Sequence, residues 1–398
     1  MYRLEFGQQY ASVVRGWHQY NESARPEQEA VIDIDIAPDA PARHYDEADT
    51  IRSDLETLAE NIPSDDPSHE TLERMIGADI LYLRALEGEK IDFETYVEGT
   101  VGIKPEPVAE AKIQAGAAAL DMLLREEGLR YDASHREAFH ERFSLRGQRQ
   151  IRQAFRLGMK TVEAALGRYL EVPDDGLEIE YVNKDAYWVG LLSGDRKGLR
   201  LAVNTHGRHP LSRGRIDTIV AHEYGGHAAH LRLWARGIGA GLLNPAVGVT
   251  AVHTPYAVQA EALAQNAEHI LLDDSWSSIF RALYNQQAGR VIHNMHYRIN
   301  TGHSPRRVQE YGRRRLPLEP DENVSAASLK AFRDNPLQRA YIAAYNPSLE
   351  MMAPVRSLSF EGRRAVLGSL YNRALTPEQI EQTVREAARR EAAELASV

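Results

Sequence analysis

The chain has 398 residues, a formal net charge of −10 and an isoelectric point near 5.9. This acidic balance argues against nucleic acid or an anionic membrane surface as the main partner, because both attract basic proteins. There are no cysteines, so disulfides, thiolate metal sites and cysteine nucleophiles are excluded, and metal ligands must be histidine, aspartate or glutamate. The first residues contain no apolar run typical of a signal peptide, and no stretch reaches transmembrane length. We therefore expect a cytoplasmic protein.

Residues 1–170 are expected to form a mostly helical N-terminal region. Residues 1 to about 45 are irregular in pattern, except that 31–36 alternate strictly and predict a strand. Its Asp33 and Asp35 are interpreted as a solvated strand face and not as metal ligands. Helices are predicted, between proline and glycine breaks, over residues 46–61, 68–87, 107–127 and 134–170.

Residues 171–398 are expected to form a catalytic region that contains a small antiparallel β-sheet. The fold class expected for the whole chain is mainly α with this small sheet. Three strand-like runs, separated by turn-forming residues, occupy 177–182, 187–192 and 199–203. In zinc peptidases such a sheet packs above the metal-binding helix, and its edge strand pairs with the peptide substrate. Helices are predicted over 212–234, from 256 onward, and over 276–299, 304–315, 325–346 and 360–398, the last with a break at Thr376-Pro377.

The helix over 212–234 carries the clearest chemical signal. Ser212 is a candidate N-cap, and apolar residues follow it at helical spacing. The middle of the helix contains His222, Glu223 and His227. Two imidazoles with a carboxylate between them are typical of zinc hydrolases, in which the histidines bind the metal and the glutamate accepts a proton from water.

The two histidines are five residues apart, and not four as in the common zinc signature. On an ideal helix five residues separate two side chains by about 140°, so both reach one ion only if the helix is locally widened. The adjacent Gly225 and Gly226 tolerate unusual backbone angles, at a cost of about 1 kcal/mol each. The spacing therefore predicts a π-helical insertion between His222 and His227.

Two alternatives remain open for this helix. A metal site made of Glu223, His227 and His230 would use positions i, i+4 and i+7 on one face of a regular helix, with His222 outside the ligand set. The other alternative is a helix whose histidines and glutamate form hydrogen bonds only.

The helix predicted from residue 256 offers a third ligand. Glu261 lies among alanines in an apolar stretch, where a carboxylate is costly unless it is paired or bound to a metal. The chain between the two helices is long enough for the second to return antiparallel to the first. His222, His227 and Glu261 thus predict a Zn²⁺ site with one open position, the alternative for Glu261 being a salt bridge to an arginine. Glu268, two turns later, is a candidate to orient a ligand histidine.

Several polar residues are candidates to contact the substrate. The candidates for stabilising an oxyanion are Tyr256, Tyr297, His253 and His303. Arg298 has the geometry to fork onto a substrate carboxylate, which would favour cleavage at the C-terminus of a peptide.

The motifs resemble two families of zinc peptidases. His222-Glu-Tyr-Gly-Gly-His227, followed by Gln259-Ala-Glu-Ala-Leu-Ala264, resembles the H-E-x-x-x-H tyrosine carboxypeptidases that act on tubulin tails, whose bacterial relatives carry a Q-E-G-L-A motif. Residues 261–268, E-A-L-A-Q-N-A-E, are similar to the E-G-W-A-L-Y-A-E segment of an uncharacterised bacterial family of predicted zinc metallopeptidases. That family also has an H-E-x-x-P-G-H-H helix. Asn300-Thr-Gly-His303 and residues 339–347 resemble later segments of the second family.

The resemblance covers roughly residues 200–355, and the N-terminal half matches neither family. The second family's Pro-Gly is missing from the helix, Leu263 replaces the Trp of E-G-W, and Asn300 replaces the Asp of its D-T-G segment. These departures bear on the subfamily and the substrate more than on the metal site. Both families imply a mostly helical gluzincin core with a deep cleft.

These observations predict a zinc-dependent metallopeptidase of carboxypeptidase or dipeptidase type. His222, His227 and Glu261 would hold the metal, and Glu223 would act as the general base on a peptide or small amide. Two other classes fit the same residues: a metallohydrolase of a non-peptide amide, and a non-enzymatic helical binding protein that keeps the histidine helix as scaffold. Zinc content separates the last class from the other two. The sequence does not indicate an oligomeric state.

Overall fold

A computed structural model of the chain describes residues 2–24, 30–145, 147–173, 177–185, 188–206, 211–272, 275–319 and 324–396. Within them the architecture is mainly helical with one small sheet, as predicted. The helices are α1 (Tyr2–Ala24), α2 (Ala48–Glu60), α3 (His69–Leu86), α4 (Phe93–Val101), α5 (Glu110–Glu126), α6 (Arg136–Phe143), α7 (Gln148–Leu166), α8 (Arg213–Val220), α9 (Ala229–Gly239), α10 (Tyr256–Leu271), α11 (Trp276–Asn300), α12 (Pro305–Arg315), α13 (Ala326–Asp334), α14 (Pro336–Met351), α15 (Phe360–Asn372) and α16 (Pro377–Ala396). The strands are β1 (Ile34–Asp35), β2 (Leu177–Val182), β3 (Gly190–Asp195), β4 (Gly198–Asn204) and β5 (Val249–Thr250).

The sheet is mixed, whereas the sequence predicted an antiparallel one. Its strand order is β2-β4-β3-β1-β5. Strands β3 and β4 form an antiparallel pair, but β2 lies on the far side of β4 and runs parallel to it, with Leu177 opposite Leu199. Strand β1 is parallel to β3 at the single pair Asp35 and Asp195, and antiparallel to β5. The N-terminal region therefore contributes a strand to the sheet formed by residues after 171.

The prediction that the N-terminus is irregular was wrong, because residues 2–24 form α1. Phe6, Tyr10, Val14 and Trp17 recur at helical spacing and are all buried. Aromatic and β-branched residues have low intrinsic helix propensity. Packing of the apolar face against the rest of the protein decides the structure here, and that contribution is not visible in local sequence.

Other helix boundaries differ from the prediction at identifiable residues. The helix predicted over 134–170 is divided into α6 and α7, and Gly147 between them has a φ of +93°. The helix predicted over 325–346 is divided into α13 and α14 at Asn335-Pro336, where the Asn335 side chain caps the new helix. Helix α4 was not predicted; Asp92 accepts hydrogen bonds from its first turn. The strand predicted from residue 187 begins at Gly190, and residue 187 itself lies outside the described residues.

The largest apolar cluster includes residues from both predicted regions. Trp17 and Phe155 belong to it, as do Trp234 and Val384. The helices of the N-terminal region thus pack directly on those that carry the histidine motif. None of the helices in the described ranges is both long and apolar enough to cross a membrane.

Candidate metal centre

The histidine helix is widened where the sequence predicts it. Helix α8 passes into a π-helical segment, Ala221–Ala228, which continues as α9. The amide of Ala229 donates a hydrogen bond to the carbonyl of Tyr224, five residues earlier. The Nε2 atoms of His222 and His227 lie 3.2 Å apart as a result. The prediction of a π-helical insertion is confirmed.

The two glycines of the π-helical segment permit close packing and do not supply unusual backbone angles. Neither has a positive φ. A Cβ atom on Gly226 would lie 2.4 Å from the Cα of Ala264, and one on Gly225 would lie 2.8 Å from a methyl group of Leu271. The absence of these side chains lets α10 approach the segment closely, and this approach brings Glu261 to the histidines.

Substituting Gly226 by alanine should therefore weaken metal binding, although the new methyl group would touch no ion. Because the clash is with the backbone at Ala264, α10 must move away, at a cost typical of overpacking, about 1–3 kcal/mol. We expect a Tm lowered by several degrees and a zinc affinity at least ~10-fold weaker, measured by thermal unfolding and competition with a chelating dye. Gly289→Ala in α11 is the matched control, since a Cβ there meets nothing within 4 Å. Equal behaviour of the two variants would refute the packing argument.

Glu261 completes a three-residue group that can hold a metal ion. It is 1% exposed, and its carboxylate oxygens lie 3.7 Å from Nε2 of His227 and 4.0 Å from Nε2 of His222. The ligand atoms of these three residues all lie within 4.8 Å of one another, and no other such group occurs in the described part of the chain. Ligands about 2.0–2.2 Å from a tetrahedral zinc are themselves about 3.4 Å apart, so small side-chain adjustments suffice.

Two hydrogen-bond donors orient the Glu261 carboxylate. The Tyr341 hydroxyl donates to Oε1 at 2.6 Å, and the Gln265 amide donates to Oε2 at 2.9 Å. The predicted alternative, a salt bridge from Glu261 to an arginine, does not occur among the described residues. The sequence analysis missed Tyr341. One feature of the sequence could have identified it: Tyr341 lies in the segment 339–347, which resembles a segment of the second of the two families.

Removing the Tyr341 hydroxyl should weaken zinc binding without removing a ligand. Partners that orient metal ligands typically contribute 10–100-fold to affinity, and we expect a loss in this range for Tyr341→Phe, measured by competition with a chelating dye. Tyr297→Phe removes the same atom from a residue outside the metal centre and should leave the affinity unchanged. Equal affinities of Tyr341→Phe and the wild type would show that the hydrogen bond to Glu261 does not support the site.

Glu223 lies beside the three predicted ligands and faces the sheet. A Cβ atom on Gly190 in β3 would lie 3.0 Å from its Oε1 atom, so β3 packs against this carboxylate where it lacks a side chain. Burial raises the pKa of Glu223 above its usual value; the His222 imidazole opposes this effect and Glu261 adds to it. A carboxylate whose pKa is raised is a stronger base, which suits it to accept a proton from water.

The alternative site that uses His230 is not supported. His230 is fully buried, and its ring packs 4.4 Å from Trp234 and 6.0 Å from Tyr256, measured between centroids. Neither ring nitrogen has a hydrogen-bond partner among the described residues. Burial, with a smaller contribution from His227, lowers its pKa to about 3. His230 is thus a neutral core residue, and the π-helical segment turns His222 towards Glu261 instead.

Arg298, the predicted carboxylate-binding residue, does not line the cleft at the metal centre. Its guanidinium pairs with Glu110 at 3.1 Å and lies 4.2 Å above the ring of Tyr311. These two contacts link α11 to α5, through Glu110, and to α12, through Tyr311. The basis for expecting cleavage at a C-terminal carboxylate is therefore removed.

The predicted oxyanion donors are also mostly elsewhere. Tyr297 packs edge-on against Phe93, and His303 is exposed beyond the end of α11. His253 is fully buried and bonds to Asp79 at 2.9 Å. Tyr256 alone of the four lines the cleft. Tyr297 and His303 belong to a dense polar cluster in sequence, whose members lie on different faces of α11 or beyond its end, whereas His253 lies in the segment before α10.

Glu268 lies near the metal centre, as expected. It is buried and accepts a hydrogen bond from the Asn285 amide at 2.9 Å. Burial raises its pKa, and the nearby Asn285, Arg281 and His222 side chains lower it in part. Its role in orienting His222 stays a prediction.

The metal centre opens into a cleft of about 430 Å³. The π-helical segment and α10 carry the predicted metal ligands that line it. The other walls are residues 30–34 from the N-terminal region, residues 190–193 of β3, and one face of α14 that includes Tyr341. This volume suits a small ligand or a short peptide.

Comparison with known proteins adds evidence on the fold alone. No protein-family model and no curated protein matches the chain. Among solved structures, a "putative lipoprotein from Colwellia psychrerythraea" is similar, with a TM-score of 0.55 at 12% sequence identity over 85% of this chain. The chain spans 66% of that structure's own length. At this identity the similarity shows a shared fold and does not bear on activity.

Proposed function

We propose that the protein is a zinc-dependent metallopeptidase. The observation that carries the proposal is the convergence of His222, His227 and Glu261 at the base of a cleft, with Glu223 beside them. The H-E-x-x-x-H motif and the later glutamate are the features that resemble two zinc peptidase families. A structural role alone does not require two histidines to face a buried carboxylate.

The donor set fits zinc. Catalytic zinc sites commonly have three protein ligands, His₂Glu among them, and one open position. When bound, zinc polarises the substrate carbonyl and lowers the pKa of a coordinated water towards ~7. The Glu261 carboxylate is held in place by Tyr341 and Gln265, so its orientation does not depend on the ion.

The chain's own residues supply the proton transfers and the positioning. Glu223 takes a proton from the attacking water and later delivers it to the leaving amine. Tyr256 is the one predicted donor that lines the cleft, and it is the candidate to donate a hydrogen bond to the developing oxyanion, because the single hydroxyl proton of Tyr341 is already donated to Glu261. Among the described residues β1 pairs with β3 only at Asp195, so residues 190–193 of β3, which line the same cleft, can pair on that side with an extended substrate.

Of the two subclasses expected from sequence, the carboxypeptidase loses its support, and no observation favours the dipeptidase-like one. A carboxypeptidase needs a cation to bind the terminal carboxylate. No lysine or arginine is among the described residues that line the cleft. The cytoplasmic location remains part of the proposal, to be tested by fractionation of the native cells.

Zinc quantification together with peptide digestion tests this function. Purified protein supplied with zinc should hold about one ion per chain and hydrolyse short peptides in a mass-spectrometric assay. A chelator should abolish the hydrolysis, and added zinc should restore it. Protein without stoichiometric zinc would instead be a binding module. Protein with zinc that cleaves only non-peptide amides would belong to the other hydrolase class.

A further inference from the structure

The N-terminal region contributes a carboxylate to the cleft that the proposed mechanism does not use. Asp33 lies immediately before β1 and lines the cleft. Its backbone N–H donates to the carbonyl of Thr250 at 2.9 Å, and the next N–H, of Ile34, donates to the Thr250 hydroxyl at 3.1 Å. The sequence analysis interpreted Asp33 and Asp35 as a solvated strand face. This is correct for Asp33, which is exposed to the cleft, but not for Asp35, which is half-buried and paired with Arg15.

Asp33 differs from its neighbour Asp35 in having no assigned partner. The Asp35 carboxylate accepts two hydrogen bonds from Arg15, at 2.6 Å and 2.9 Å. The Asp33 carboxylate makes no hydrogen bond or ion pair with any residue that the structure describes. A carboxylate of this kind in a cleft is available to a ligand.

The charge of the cleft favours a cation. Its ionisable groups, among the described residues, are His222, His227 and three carboxylates: Asp33, Glu223 and Glu261. These three carboxylates line the same cleft. Asp33 is exposed to that cleft but has protein around it, and the resulting loss of solvation, followed by the charges of Glu223 and Glu261, raises its pKa to about 7. A bound divalent ion would favour the ionised form of all three carboxylates. Their three negative charges and the two positive charges of the ion would leave the cleft with one net negative charge.

We propose that Asp33 binds the α-ammonium group of the substrate, so that the enzyme acts on short peptides with a free amino terminus. The inference rests on the proposed peptidase function and names its substrate class. In an extended peptide the ammonium lies about one residue, ~3.5 Å, from the first peptide bond. A carboxylate that lines the same cleft as the predicted metal ligands would therefore favour cleavage next to the amino terminus. No lysine or arginine is among the described residues that line the cleft, so the cleft offers a partner for the ammonium end of a peptide and none for its carboxylate end.

The first test measures binding without turnover. Zinc-loaded protein with Glu223→Gln is titrated calorimetrically with trialanine and with leucyl-glycyl-glycine, each with a free or an acetylated amino terminus. Hydrogen bonds to charged groups account for about a 10–100-fold preference, and we expect the free forms to bind tighter by this factor. Adding Asp33→Asn should reduce the preference to about 1 at unchanged zinc content. The matched control is Asp39→Asn, which removes the same charge from an exposed side chain outside the cleft and should preserve the preference.

The second test measures hydrolysis by the wild type on the same peptides. We expect kcat/KM to be about 10–100-fold higher for the free forms. Equal binding of free and acetylated peptides, or a preference that survives Asp33→Asn, would overturn the inference while leaving the peptidase proposal intact. An acetylated lysine-containing tripeptide that binds as tightly as the free forms would show that the site takes a side-chain ammonium and would overturn the α-ammonium assignment. A preference lost with Asp33→Asn in a protein that hydrolyses none of these peptides would support the ammonium site and count against the peptidase.

Discussion

Replacing Glu223 by glutamine should leave about one zinc per chain in place and reduce peptide hydrolysis by about 10²–10⁴-fold. The amide has nearly the shape of the carboxylate but cannot accept a proton from water, and general acid–base catalysis contributes a factor of this size. Glu223 is not one of the three residues whose ligand atoms converge, so the metal should remain bound. Elemental analysis and kcat/KM on the best substrate of the wild type measure the two effects separately.

A matched control for this variant is Glu178→Gln on β2, where the side chain is exposed and outside the cleft. It should retain both zinc and activity. Loss of zinc from Glu223→Gln would mean that this residue is a ligand. Full activity of Glu223→Gln would mean that another group, or water alone, carries the proton.

Replacing His227 by alanine should remove the metal. A three-ligand site that loses one imidazole keeps only two protein donors, and we expect less than ~0.1 zinc per chain after dialysis. A ligand that binds only the folded state stabilises it by about 2.7 kcal/mol at 100 times its Kd. Added zinc should therefore raise the Tm of the wild type and leave that of His227→Ala unchanged, as thermal unfolding would show.

Two further substitutions make the His227 result specific. His303→Ala removes an exposed histidine and should leave the zinc content unchanged. His222→Ala should behave like His227→Ala, because the Nε2 atoms of both residues face Glu261. Loss of zinc on His230→Leu but not on His222→Ala would restore the alternative site that was set aside on structural grounds.

The grouping of His222, His227 and Glu261 was predictable because its signal is local. His222 and His227 lie within six residues of one another, and Glu261 is conspicuous as a charge in an apolar stretch. The π-helical insertion followed from the five-residue spacing and simple helix geometry. The role of the glycines did not follow, because the atom that Gly226 must avoid belongs to Ala264, on another helix.

The candidates for substrate contact were not predictable, because the surroundings of each side chain depend on residues distant in sequence. Arg298 pairs with Glu110, 188 positions away, and nothing near Arg298 in sequence identifies that partner. Asp33 was set aside as a surface residue because its strand alternates, and the sequence does not show that the strand borders a cleft built from residues 190–261 and α14. Tyr341 is noticeable only once Glu261 is known to lie 2.6 Å from it.

The π-helical segment also constrains how this chain can change over evolutionary time. Deleting one residue between the histidines would restore the common four-residue spacing, but it would turn α9 by about 100° relative to α8. Trp234, which is 2% exposed, and the apolar residues around it would then leave their places in the core. A deletion of one residue here should therefore destabilise the protein even where it preserves the ligand types. The five-residue spacing is tied to the packing of α9, so it cannot be exchanged for the common spacing without a second change in the core.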